Sequence, residues 1–484
     1  MSNFIVDQLI EKIKSKSETD RQNSQSLRLS CYLDDYEKEI VSLLRKQFHP
    51  DNFDRLYPMF ANYYNLFKKI INLKSVIYKK EAVRRWYKRD GKKEDDKYQD
   101  LIDNSNLNTA MQLCNKLTNI NNTSFMRIVS DNQNIKYTAI PSELFSIMQS
   151  PDNPEEITAL LHQVVIQDSY TKLPSLVFGQ RSNTDKYILK YFYWDYEKYI
   201  ILDNEMKITS EIDNPYKDKD GKGIIPYVLG KNFPLISGSI WNETVNSDLY
   251  FGTIQVNVLQ TYLNNLIKTS GYRQPWITGI ERNEVEKLNN KANDVLQPIV
   301  MTSENSKIGS FQLSDNITEV KDVIHDIISE IADNHGISFS SRVSSAQKMS
   351  GKALQISQES INNIREEQQP FFREMEKEIA EKSVIIANTD LRSNIDIEGN
   401  FSINFYEEKP ELEEKDKIDV NNWYLTKNLK SLVDVYKELD PDCPDDKTAE
   451  KRIIENKKIN DEYKNTIDLT PDDDDDEDDD NAES

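Results

Sequence analysis

At 484 residues, with 37% apolar and 30% charged side chains and a formal net charge of −22, the chain can bury a sizeable core in two to four compact units. Its acidity excludes indiscriminate adhesion to nucleic acid, and three scattered cysteines (Cys31, Cys114, Cys443) exclude a disulfide framework or a C-x-x-C metal site and favour a reducing compartment. No run approaches the roughly 18 apolar residues of a membrane span, so a soluble protein with no membrane partner is expected.

The opening residues place Ile5, Leu9 and Ile13 at helical spacing among acids, an amphipathic helix rather than a signal peptide. The first 115 residues or so read as helical. Within them, 57–87 carries Phe60, Tyr64, Phe67, Ile70, Ile71, Leu73 and Ile77 at mostly three- and four-residue steps. It ends in a basic run, Lys79, Lys80, Arg84, Arg85, Lys88, Arg89, Lys92 and Lys93, interleaved with Trp86 and Tyr87. That run has two readings: a nucleic-acid patch, or, favoured by charge patterning, a solvated face packed against acidic neighbours.

From about 122 to 240 the pattern turns strand-like, in short β-branched and aromatic segments separated by Asn, Asp and Gly. The aromatic block 191–199 is read as strand core before base stacking. Residues 253–268 then predict a helix with a stripe of Leu259, Tyr262, Leu263, Leu266 and Ile267, stopped at Ser270-Gly271. A module of about 47 residues follows, with strand-like segments near 298–301 and 308–313, and a second helix opens at Thr318. Its apolar positions, Val320, Val323, Ile324, Ile327, Ile328 and Ile331, define a single face. Two helices of some 25 Å leading into and out of one module form a stalk with a head.

Residues 336–357 contain no acid, only Arg342, Lys348 and Lys352 among seven serines, six of them before Lys352 and including Ser344, Ser345 and Ser350. A long helix to about 388 follows, with a kink expected at Pro370. Next come a short hairpin around Gly399, helices over 414–439 and 446–464, and a tail whose last fourteen residues hold ten acids and no base.

Little points to catalysis. There is no G-x-x-x-x-G-K-[ST] and no H-E-x-x-H, and Ser350-Gly351-Lys352 lacks the upstream glycine of a phosphate loop. His325 and His335 stand about 15 Å apart along a helix and cannot share a metal. The expectation is a non-enzyme with no cofactor and no metal.

In this order, the paired helices, the inserted module, the serine-rich loop, Ser350-Gly351-Lys352-Ala353-Leu354 and the long Pro370 helix resemble the portal proteins of tailed bacteriophages, as does Gly223-Ile-Ile-Pro-Tyr-Val. The resemblance spans roughly residues 55–460 in order of elements. It implies an α+β portal-type fold in a ring, usually of twelve subunits, at the capsid vertex of a virion made in a bacterial cytoplasm. By position it implies N-terminal helices and a β-rich wing over 1–250, stem helices over 251–270 and 318–336, and a clip over 271–317. A tunnel loop over 337–350, a long wing helix and hairpin over 351–409, a helical crown over 410–465 and a disordered acidic tail over 466–484 complete it.

The implied residues are Arg342, Ser344, Ser345, Lys348, Ser350 and Lys352 toward the DNA channel, and Arg273, Gln274, Pro275, Trp276 and Ile277 on the clip. Leu259, Leu263, Leu266, Val323, Ile327 and Ile331 would pack the stem. The implied partners are further copies of the chain, double-stranded DNA in transit, the terminase large subunit, head-completion adaptors, the major capsid protein and a scaffolding protein. An acidic channel fits such cargo, since each neutralised phosphate would strengthen a grip that must stay weak. The competing readings are another virion structural protein, such as a head–tail adaptor or minor capsid protein, and a DNA-processing enzyme, which would need the missing phosphate loop.

Overall fold

A computed structural model describes residues 2–47, 53, 60–61, 63–89, 93–131, 133–167, 187–235, 238–270, 274–278, 299–301, 307–311, 317–337, 351–406, 421–427, 429–439 and 445–466. The fold is α+β. It divides into a unit over Met1–Tyr406 and a second over Glu407–Ser484.

Period-two alternation builds the sheets of the first unit. β2 (Thr123–Ser130) lies between β3 (Ile135–Pro141) and β9 (Tyr227–Lys231). β4 (Phe145–Gln149), β5 (Ile157–Gln167), β6 (Tyr187–Asp195), β7 (Lys198–Leu202) and β8 (Ile208–Asp213) form an antiparallel meander. Neighbouring residues of the meander serve opposite cores, as the pleat requires. Leu160 and Trp194 face Phe125 and Tyr227, while Leu161 and Tyr193 pack with Val6 and Leu9 of α1 (Ser2–Lys14). The 191–199 block is therefore strand core: Tyr193 and Ile200 are fully buried.

The N-terminal helices are integral to this unit. α2 (Lys16–Tyr32) buries Glu18, Arg21, Gln25 and Arg28 on one side. Arg21 donates to Glu18, to Gln25 Oε1 and to the Phe145 carbonyl, and Ser146 donates to Glu18 at 2.6 Å. Burial raises the Glu18 pKa, but bonds from Arg21 and Ser146 outweigh it and leave it below its ordinary 4.5. A depressed carboxylate stabilises the fold above its unfolded pKa and loses that contribution as pH falls through the lower folded value. Glu18→Gln is therefore expected to unfold earlier than wild type at pH 7, with the gap in melting temperature closing below about pH 4.5.

The basic run is where the structure departs most from the sequence reading. Helix α4 (Leu66–Lys74), preceded by α3 (Glu37–Gln47), ends well before it, and Val83–Tyr87 is strand β1, alternating exposed Val83 and Arg85 with buried Arg84 and Trp86. β1 pairs antiparallel with β13 (Asn400–Asn404). The hairpin expected around Gly399 does not form, because 400–404 pairs with this distant strand. Gly399 is needed there, since a Cβ would lie 2.0 Å from Trp86 Nε1. The bases meet acids: Arg84 pairs with Glu376, Arg85 with Glu94 and Arg89 with Glu398.

α5 (Asp96–Asp103), α6 (Leu107–Asn121) and α9 (Gly351–Ile386) complete the main core. α9 continues through Pro370. Asn119 of α6 is a buried junction. It donates to Ser75 and Asn115, and its side-chain oxygen accepts from Asn232 and Gln368.

In the second unit, α10 (Leu432–Leu439) and α11 (Asp446–Thr466) are described. The single helix expected over 414–439 is interrupted at 427 and at 429–431, and 414–420 and 428 lie outside the described residues. Ser431 donates from both its backbone N–H and its hydroxyl to Asp434, a capping box that starts a new helix.

Candidate functional site

α7 (Ser247–Ser270) and α8 (Ile317–Asn334) pack as an antiparallel hairpin. Two contacts fix its register. A Cβ on Gly252 would lie 2.1 Å from Ile331 Cδ1, so the helices approach closely where α7 has no side chain. Asp248 Oδ2 and His335 Nε2 are 3.2 Å apart at the same end. Burial, helped by Lys74, lowers the His335 pKa against the pull of Asp248. Between the helices, β10 (Gln274–Thr278) pairs parallel with β11 (Ile299–Met301) and antiparallel with β12 (Lys307–Phe311).

A polar ladder fixes the far side of α7. Thr253, Asn257 and Thr261, spaced by four, are fully buried. Thr253 accepts from Phe67 N at 2.9 Å, Asn257 from Tyr64 N at 3.2 Å and Thr261 from Ala61 N at 3.1 Å. Asn257 also donates to the Tyr64 carbonyl at 2.8 Å. The extended chain through Tyr63 to Asn65 is thus strapped along α7, its backbone groups satisfied by side chains in place of a neighbouring strand.

The single apolar face expected on α8 separates into three parts. Ile324, Ile328 and Ala332 are buried, Val320, Ile327 and Ile331 are half-buried, and Val323 is 50% exposed. Of the residues expected to pack the stem, Leu263 is buried, Leu259 and Leu266 are half-buried, and Val323 points off the contact. The physical reason is width: at 100° per residue the stripe spans roughly 140°, too broad for one partner helix.

Opposite the buried face, Glu319, Asp322, Asp326, Glu330 and Asp333 are all exposed within an arc of about 80°. An ordinary solvated face intersperses charges, as α9 does with Glu378–Lys382 at 2.7 Å. On α8 the i,i+4 neighbours along this edge, Asp322/Asp326 and Asp326/Glu330, have like charge, which costs an isolated helix about 0.2–0.5 kcal/mol per pair. In the sequence the helix is marked by its apolar positions, and the acids dispersed between them do not stand out as a unit.

Arg342, Ser344, Ser345, Lys348, Ser350 and Arg273 lie outside the described residues. Lys352 falls in the first turn of α9, and Gln274, Pro275, Trp276 and Ile277 lie on β10. Among the described residues, no group of three His, Cys, Asp or Glu side chains could hold a metal ion, and no helix is long and apolar enough to cross a membrane.

No protein-family model and no curated protein matches the sequence. Among solved structures, a chain from the neck of an empty gene transfer agent particle, computed with C6 symmetry, is similar over 76% of this chain and 87% of its own. That match has 9% identity and a TM-score of 0.35. A chain from the virion of a native gene transfer agent particle is similar over 78% of this chain and 88% of its own, at 8% identity and a TM-score of 0.36.

Proposed function

We propose that the chain is the subunit of a portal-type ring at one vertex of a phage-like capsid, through which double-stranded DNA is packaged and later released. The observation that carries the reading is the acidic edge of α8. It sits on the outer side of a long helix hairpin, held at a cost in local helix stability, and phosphates gliding past such an edge are repelled rather than bound. The module of β10, β11 and β12 at the tip of the hairpin would dock the terminase large subunit during packaging and head-completion adaptors afterwards. The major capsid protein and a scaffolding protein would surround the ring during assembly.

Negative-stain microscopy of the purified chain tests this. A ring with an axial hole is the expected result; a monomer that cleaves DNA with a divalent cation would overturn the reading. In the same frame Arg342 and Lys348 would touch passing phosphates. Arg342→Glu with Lys348→Glu is expected to alter packaging or DNA retention, read by packaged-DNA yield, with rings still intact.

A further inference from the structure

The large apolar side chains most open to solvent on α7, α8 and the strap are Tyr63 at 66%, Phe251 at 64%, and Ile267 and Val323 at 50% each. They fall on two opposite faces of the hairpin. Seen from its N-terminus, a right-handed helix turns about 100° clockwise per residue. Phe251 precedes the contact residue Gly252 and so points about 100° anticlockwise of the contact direction of α7, and Val323, eight residues before the contact residue Ile331, points about 80° anticlockwise of that of α8. In an antiparallel pair, rotations of the same sense lead to the same side. Phe251 and Val323 therefore share one face. Ile267 is turned about 60° the other way, and the strap, held through Thr253, Asn257 and Thr261, lies centred about 140° the other way. Ile267 and Tyr63 thus belong to the opposite face.

The two edges of the hairpin are already assigned. One is the acidic edge of α8, and the other is covered by α3 and α4, which pack on α7. That leaves two faces with exposed apolar side chains: from 247 to 270, α7 carries only Asp248 and Lys268, and on α8 the exposed acids Glu319 and Glu330 border Val323, within about 40° of it, on the side of the acidic edge. Pairing one face with itself would leave the other uncovered. Stacking unlike faces covers both and turns every acidic edge the same way, which is the heterologous contact that closes rings.

We propose that the hairpin assembles head-to-tail, the Phe251/Val323 face of one copy seated on the Tyr63/Ile267 face of the next. This rests on the ring proposed above and names the surface that forms it. The register also gives a pair. Gly252 opposite Ile331 and Asp248 opposite His335 place Val323 level with residue 260, and the Ala61–Thr261 and Tyr64–Asn257 bonds place Tyr63 at nearly the same height. Rotation about an axis along the hairpin preserves height, so Val323 of one copy meets Tyr63 of the next.

The test uses the full chain with Cys443→Ser, carrying Val323→Cys and Tyr63→Cys together or singly, under mild oxidation. The double variant should give a ladder of covalent multimers on a non-reducing gel, and each single variant should run as monomer. Val323→Glu should keep its circular dichroism and raise the concentration needed for assembly about a hundredfold, by burying an unpaired charge. Intact rings without a ladder, or Val323→Cys alone giving covalent dimers, would overturn the interface and leave the ring standing. A wild-type chain that never assembles would sink both readings.

Discussion

Glu376→Ala should destabilise the first unit by about 3–5 kcal/mol, because it leaves Arg84 buried and unpaired. Arg84 Nε and Nη2 bond the two Glu376 oxygens at 2.8 and 2.6 Å, with both side chains at 2% exposure or less. Burial opposes the guanidinium charge, but Glu376 more than compensates and holds the Arg84 pKa above its ordinary value. The third nitrogen donates to the Ala82 carbonyl and Asn108. One pair therefore joins β1 to the middle of α9 across 292 residues of chain. Urea denaturation measures the loss. Arg84→Met with Glu376→Leu should lie closer to wild type than Glu376→Ala, since removing both charges leaves neither stranded. If the single substitution cost under 1 kcal/mol, the pair would not be the clamp described.

Arg84 also shows what was legible and why. In sequence it belongs to a basic run following a helical pattern, and its charged partner, Glu376, lies 292 residues away. Only the alternation over 83–87 hinted at a strand, and five residues are too few to outvote a helical neighbourhood. α8 was readable because 3.6-residue periodicity is local, as was the meander, whose aromatic and β-branched runs are strand signals in themselves.

The α7 ladder was hidden for the opposite reason. Thr253, Asn257 and Thr261 look like polar interruptions of an apolar stripe, and only their spacing of four betrays a purpose. Gly252 likewise reads as a weak spot until Ile331 is seen against it. The acidic edge was in plain view, yet a chain of net charge −22 makes five more acids unremarkable until the buried face fixes their direction.

Replacing Asp322, Asp326 and Glu330 with Lys should turn a passage into a trap. All three are exposed, and Lys suits a helix interior better than Asp does, so the fold should persist. In an assembled ring the change recurs in every copy and brings cations to the channel surface, where each neutralised phosphate releases counterions. Purified wild-type assemblies should hold little double-stranded DNA at moderate salt. The triple-Lys assemblies should retain it, with affinity falling about 10³–10⁵-fold between 50 and 200 mM salt if six to ten phosphates are engaged. Asp322→Asn, Asp326→Asn and Glu330→Gln, which remove repulsion without adding attraction, should fall between. A filter-binding salt titration reads all three. Equal retention by wild-type and triple-Lys rings would mean that the acidic edge faces away from the DNA, and the orientation drawn from the two apolar faces would fall with it. Retention graded with charge would locate that edge on the DNA path without any contact being seen.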